Sequence, residues 1–129
     1  MYARISTLHV KDDVSVDQMR ESVAGSDRKI AAQEGCIGSF ALGDPVSQNV
    51  HMITFWRTAE DLIESHARNT DITRTAAEEL GGSPANDVVR VLEVLSIDLA
   101  QVVAQADRSG ISWPLIERDE VPPAPNATE

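Results

Sequence analysis

Three residues of this chain are of types that could move charge or bind an aromatic molecule: His66, Arg90 and Trp56. His66 follows Leu62 by four residues, and residues four apart share a helix face, so it is expected to point inward. An imidazole there suits proton abstraction from a phenol or enol near neutral pH. The plainer alternative is a core histidine bonded to a backbone carbonyl. Arg90 stands inside "VVRVLEVLSIDL" (88–99), an otherwise largely apolar run. A buried arginine is rare without a partner. Arg90 either stabilises a substrate oxyanion or pairs with an acid such as Glu93 and reaches water near the strand end. Trp56 closes "NVHMITFW" (49–56). It is a wall and N–H donor for an aromatic substrate, or a core filler. Phe40, Met52 and Leu62 supply the apolar lining expected beside these three.

Other reactive residues carry less. His51 faces opposite to Trp56 on its strand, and His9 near the end of the first strand is expected to be exposed, with Arg4 similar. Cys36 reads as a buried structural thiol. A lone cysteine makes no internal disulfide, which fits a reducing, cytoplasmic setting. There is no CxxC, HExxH, GxSxG or glycine-rich phosphate loop. Three scattered histidines and one cysteine make a poor metal set, so no metal or cofactor-binding residue is expected. The net charge of -10 argues against nucleic acid and anionic membranes, both of which need a basic surface. No apolar run of about eighteen residues suggests a membrane helix. "MYARISTLHV" lacks a basic lead and a following apolar stretch, so no signal peptide is expected.

A few elements must position these residues. "YARISTLHV" (2–10) reads as a strand. Ser15 with Gln18 forms a capping-box pattern that opens a helix over 16–33, with Val16, Met19, Val23 and Ile30 at helical spacing and Gly35 as a stop. "CIGSFAL" (36–42) and 49–56 read as a hairpin around "GDPVSQ". Thr58 caps a second helix with Glu60 and Asp61 in its first turn. That helix is expected to break near "RNTD" and resume at "ITRTAAEEL". Residues 88–99 read as the strongest strand. The order strand, helix, strand, strand, helix, strand specifies an α+β, ferredoxin-like protomer, a four-stranded antiparallel sheet with two helices on one face. Residues 1–99 form this domain. Residues 100–129 form a C-terminal extension with a short helix, partial docking through Trp113, Leu115 and Ile116, and a disordered Pro-rich end.

Two helices cover one face of such a sheet, yet both faces are apolar. Val50, Met52, Thr54 and Trp56 share one side of the third strand, and His51, Ile53 and Phe55 the other. An apolar sheet face of several hundred Å² left in water is near the limit for monomers. A second copy of the chain is the simplest cover, which predicts a homodimer joined sheet to sheet; the alternative cover is the chain's own C-terminal tail.

With these residues in this order, the chain resembles the dimeric α+β barrel superfamily, and within it the antibiotic biosynthesis monooxygenase (ABM) domain family, over residues 2–99. "QEGCIGSFAL" resembles the family's entry to the second strand, and "FWRTAEDLIESH" its tryptophan, acidic positions and helical histidine. The resemblance implies a small-molecule cavity between sheet and helices in each protomer. It also implies oxidation of an aromatic polyketide-like or quinol-like molecule with molecular oxygen and no cofactor. In that reading His66 is the base, Arg90 the charge stabiliser and Trp56 the wall. The family's haem-degrading branch uses an Asn on the first strand and a Trp and a His on the second helix. Here residues 2–10 hold no Asn, Ser65 falls near the Trp place and Thr75 near the His place, so haem is not expected. Two other functions stay open: a non-catalytic dimeric barrel that binds a small ligand or a protein partner, and a cyclase or isomerase on the same scaffold.

Overall fold

The computed structural model describes residues 1–84 and 90–111. The chain divides into two units, Met1–Ile97 and Asp98–Glu129. The first holds β1 (Tyr2–His9), α1 (Val16–Ala31), β2 (Cys36–Asp44), β3 (Asn49–Trp56), α2 (Ala59–Glu79), β4 (Ser83–Pro84) and β5 (Leu92–Glu93). Of the second, α3 (Leu99–Arg108) is described. The expected docking of Trp113, Leu115 and Ile116, and the Pro-rich end, lie outside the described residues.

Helix boundaries follow local chemistry. The Ser15 hydroxyl accepts from the Gln18 N–H at 3.2 Å, and the Gln18 side chain accepts from the Ser15 N–H at 2.8 Å, so both orphan donors are met. Thr58 caps α2 through the Asp61 N–H at 3.1 Å. The break expected near "RNTD" does not occur, and α2 runs unbroken to Glu79. There, Asn69 donates inward to the Ser65 hydroxyl, and Thr70 donates to the His66 carbonyl one turn back, a bond that helical geometry accommodates.

The sheet runs β2-β3-β1-β4, with β5 also on β1, and every pairing is antiparallel. This is the ferredoxin-like α+β arrangement. The fourth position is not one strand over 88–99. Ser83–Pro84 pairs with His9 and Leu8, and Leu92–Glu93 pairs with Ala3 and Tyr2. Residues 85–91 separate the two segments where residues 4–7 separate their partners, a surplus of three that rules out one continuous register. Gly82 anchors the first segment, where a Cβ would collide with the His9 carbonyl oxygen. At the far end Asp98 accepts from the Gln101 N–H and caps α3, so Leu99 begins a helix and does not end a strand. Of the expected strand, residues 88–89 lie outside the described residues.

Alternation gives the sheet two distinct faces. Leu8, Val50, Met52 and Trp56 face the helices and join Met19, Val23, Ile30, Leu62, Ala76 and Ala77 in one core cluster. On the other face the register brings Ile5, Ile53 and Phe40 into one row, with Thr7, His51 and Leu42 in the next. Ile5 is 46% exposed and Leu42 56%. The Phe40 and Phe55 rings stack at a tilt, 5.7 Å between centroids.

Candidate functional site

The layer between sheet and helices is not purely apolar. Ser39 on β2 lies opposite Thr54 on β3, which lies opposite Arg4 on β1. These three form a polar row across the sheet. They face the helices, because Thr54 alternates with Met52 and Trp56 of the core cluster. One flanking row is Cys36, Trp56 and Tyr2, and the other is Ala41, Met52 and Ser6. Trp56 donates its indole N–H to the Thr54 hydroxyl at 2.9 Å.

The inner face of α2 is also polar at its centre. Its buried residues are Leu62, Ser65, Asn69, Thr73, Ala76 and Ala77. The spacing is helical but the middle three are hydrophilic. Gln33 donates to the Asn69 carbonyl oxygen at 2.6 Å, Asn69 donates to the Ser65 hydroxyl at 3.1 Å, and Ser65 donates to the Leu62 carbonyl at 2.8 Å. α2 packs against β1 and α1 against β2. From α1, Ser26 and Asp27 are buried on the inner side.

Arg4 is the unusual member. It is 7% exposed. Its Nη1 is buried with no hydrogen-bond partner, as are the hydroxyls of Ser39 and Thr73. The ion pairs among the described residues, Arg20–Asp17 and Arg74–Asp71, are exposed pairs within single helices. No carboxylate among the described residues meets the Arg4 cation. Burial pulls the Arg4 guanidinium below the ordinary arginine value by desolvation. An uncompensated buried charge costs several kcal/mol.

Two hollows open on the surface of the first unit, neither lined by Arg4, Ser39, Thr54 or Thr73. A groove of about 90 Å³ between α1 and α2 is lined by Gly25, Ser26, Lys29, Ile72, Thr75 and Ala76, among others. A wide-open hollow of about 510 Å³ at His9–Asp12 and Gly81–Gly82 lies at the β1 end, away from the polar row.

No protein-family model and no curated protein sequence matches the chain. Solved structures do. One, a candidate antibiotic biosynthesis monooxygenase from Nitrosomonas europaea, superposes with a TM-score of 0.53 at 16% identity over 74% of this chain and 100% of that one. A second, described as an antibiotic biosynthesis monooxygenase, gives a TM-score of 0.51 at 14% identity over 74% of this chain and 100% of its own. The chain shares the fold of these proteins. About a quarter of it has no counterpart in them.

Within this fold the residues singled out from sequence separate. Trp56, Met52 and Leu62 come together in the core, each 1% exposed or less, beside the polar row. His66 is half-buried on α2 next to Ser65, and its Nδ1 is buried without a partner. Phe40 lies on the opposite sheet face, opposite Ile53, and is not brought to the layer. Arg90 is exposed and precedes β5, because the strand meant to bury it is only two residues long. His51 sits on the open face and shares a 3.0 Å hydrogen bond with Thr7. His9 is exposed, as expected. Cys36 is half-buried, with its thiol 3.8 Å from the Gly38 carbonyl.

Arg4 was expected at the surface and is instead buried, because even-numbered positions of β1 face the helices. The pairing of Arg4 with Leu8 on one side of an alternating strand was the available signal. Ser65, Asn69 and Thr73 carried one too: they continue the Leu62 to Ala76 stripe at three- and four-residue steps. Among the described residues, no group of three or more His, Cys, Asp or Glu side chains is placed to hold a metal, and no helix is long and apolar enough to cross a membrane.

Proposed function

We propose that the chain is a small oxygenase of the ABM kind, acting without a bound cofactor on an aromatic polyketide-like or quinol-like molecule held between sheet and helices. The observation that carries this is a group of buried polar atoms without hydrogen-bond partners: the Arg4 Nη1, the Ser39 and Thr73 hydroxyls and the His66 Nδ1. Buried polar groups are otherwise almost always satisfied, so orphans at a fold's ligand position favour a ligand. In the proposed reaction His66 takes a proton from the substrate carbon or hydroxyl. The resulting enolate gives one electron to O2, the radical pair recombines to a peroxide anion, and the proton held on His66 returns to it so that water leaves and a carbonyl remains. A dry layer protects the reactive anion from water. Arg90, exposed and outside the layer, has no role in this reading. Two protomers pair through the apolar sheet faces.

Oxygen uptake with anthrone and with a hydroquinone tests the reading. Wild type is expected to consume oxygen, and His66→Ala to lose about 10²-fold or more, the usual share of a positioned base. No uptake with either compound refutes the oxygenase. Unchanged turnover in His66→Ala refutes the base. Conversion without oxygen uptake marks the cyclase or isomerase. The near-complete burial of Trp56, Met52 and Leu62 favours a second reading, a non-catalytic dimeric barrel that binds a ligand or a protein partner.

A further inference from the structure

We propose that the layer binds its ligand as an oxyanion, a planar aromatic acid or phenolate whose charged oxygen is held by Arg4 with the hydroxyls of Ser39 and Thr73 beside it. This rests on the reading that the layer is the small-molecule site, and not on oxygen chemistry.

The argument starts from charge. Arg4 is a permanent cation with five donors and no acceptor. It is more than nine-tenths buried and makes no ion pair among the described residues. A fold that only needed to fill this position would do better with an apolar residue of the same length, since an unpaired buried charge destabilises. A bound carboxylate or phenolate removes that cost and gains a charge-assisted hydrogen bond.

The surroundings define the rest of the ligand. Ser39, Thr54 and Arg4 sit on three adjacent strands and face the same layer, so the two hydroxyls and the cation line one polar strip. Trp56 and Tyr2 flank the row on one side and Met52 on the other, and Leu62 lies in the same cluster. These are apolar, flat or adaptable surfaces suited to a ring. The Thr54 hydroxyl is already an acceptor for Trp56, which leaves its proton free to donate. Ser26 and Ala76, buried on the inner faces of α1 and α2, also line the groove between those helices.

The test is binding of 1-hydroxy-2-naphthoate against its methyl ester, by calorimetry under nitrogen. Wild type is expected to bind the acid at least tenfold more tightly than the ester. Arg4→Met should abolish that preference and, in the ligand-free protein, raise the melting temperature. Ser39→Ala and Thr73→Val should each weaken the acid several-fold and leave the ester unchanged, and they serve if Arg4→Met fails to fold. Equal binding of acid and ester, no binding of the acid, or a full acid preference in Arg4→Met or in both hydroxyl variants would overturn the proposal. Acid binding without oxygen uptake in air would overturn the oxygenase reading alone.

Discussion

The indole N–H of Trp56 points to the hydroxyl of Thr54, two residues earlier on the same strand and on the same face, at 2.9 Å. A buried tryptophan needs such an acceptor. Thr54 is 4% exposed and Trp56 0%, so water cannot replace it. Thr54→Val keeps the shape and removes the oxygen. It is expected to cost about 1–3 kcal/mol, the penalty of a stranded buried donor. Urea unfolding followed by circular dichroism measures this, and an unchanged midpoint would mean the indole has another acceptor.

Asn69 links α2 to the loop after α1. It accepts from Gln33 beyond α1 and donates to Ser65 one turn back on α2. Asn69→Ala strands the Ser65 side of this chain in the core and is expected to cost about 1–3 kcal/mol. Gln33→Ala should cost less, because Gln33 is half-exposed and water can serve Asn69 from that side. The order of the two denaturation midpoints is the check.

Gly35 has a φ of +83°, and a Cβ there would run into the Asp61 carboxylate. Its carbonyl also accepts from the Arg57 N–H at 2.8 Å, tying the entry of β2 to the exit of β3. Gly35→Ala is expected to lose about 1–3 kcal/mol through backbone strain alone, with the clash in addition. A thermal melt matching wild type would contradict the left-handed turn.

Phe40 and Ile53 meet on the open sheet face, with Ile5 across from them. Light scattering of wild type is expected to give twice the 14.0 kDa chain mass. Ile53→Asp should give one chain mass while keeping the helical signal. A wild-type monomer would remove the dimer from the proposed function.

Asp44 accepts hydrogen bonds that shape the hairpin turn between β2 and β3. Its pKa is lowered by the Ser47 side chain first, then by the Ser47 and Val46 backbone. A lowered carboxylate contributes stability above its unfolded value and loses it as pH falls through the folded one. The difference in melting temperature between wild type and Asp44→Ala should therefore be constant from neutral pH down to the ordinary carboxylate range, then shrink. A difference that grows on acidification would reverse the sign.

Periodicity and caps made most of the fold legible. β3 begins at Asn49 and ends at Trp56 as its alternation indicates, and both Ser15 and Thr58 cap their helices through the bonds their spacing suggests. The fourth strand misled, because the apolar run carries no sign that it pairs with β1 at Leu92–Glu93 and gives way to a helix capped by Asp98. The site was legible in part. Trp56, Met52 and Leu62 are apolar and announce burial. Arg4, Ser65, Asn69 and Thr73 are polar types at buried positions, and hydropathy places such residues outside. Only the phase of their strand or helix brings them in.

That polar centre has a calorimetric consequence. Exposing apolar surface on unfolding raises the heat capacity, and exposing polar surface lowers it. Melting this layer exposes Arg4, Ser39, Thr54, Ser65, Asn69 and Thr73 along with the aliphatic core. The heat-capacity increment per residue should then fall below the usual 12–15 cal/mol/K or so. A smaller increment flattens the stability curve, so the same peak stability extends further toward both cold and heat.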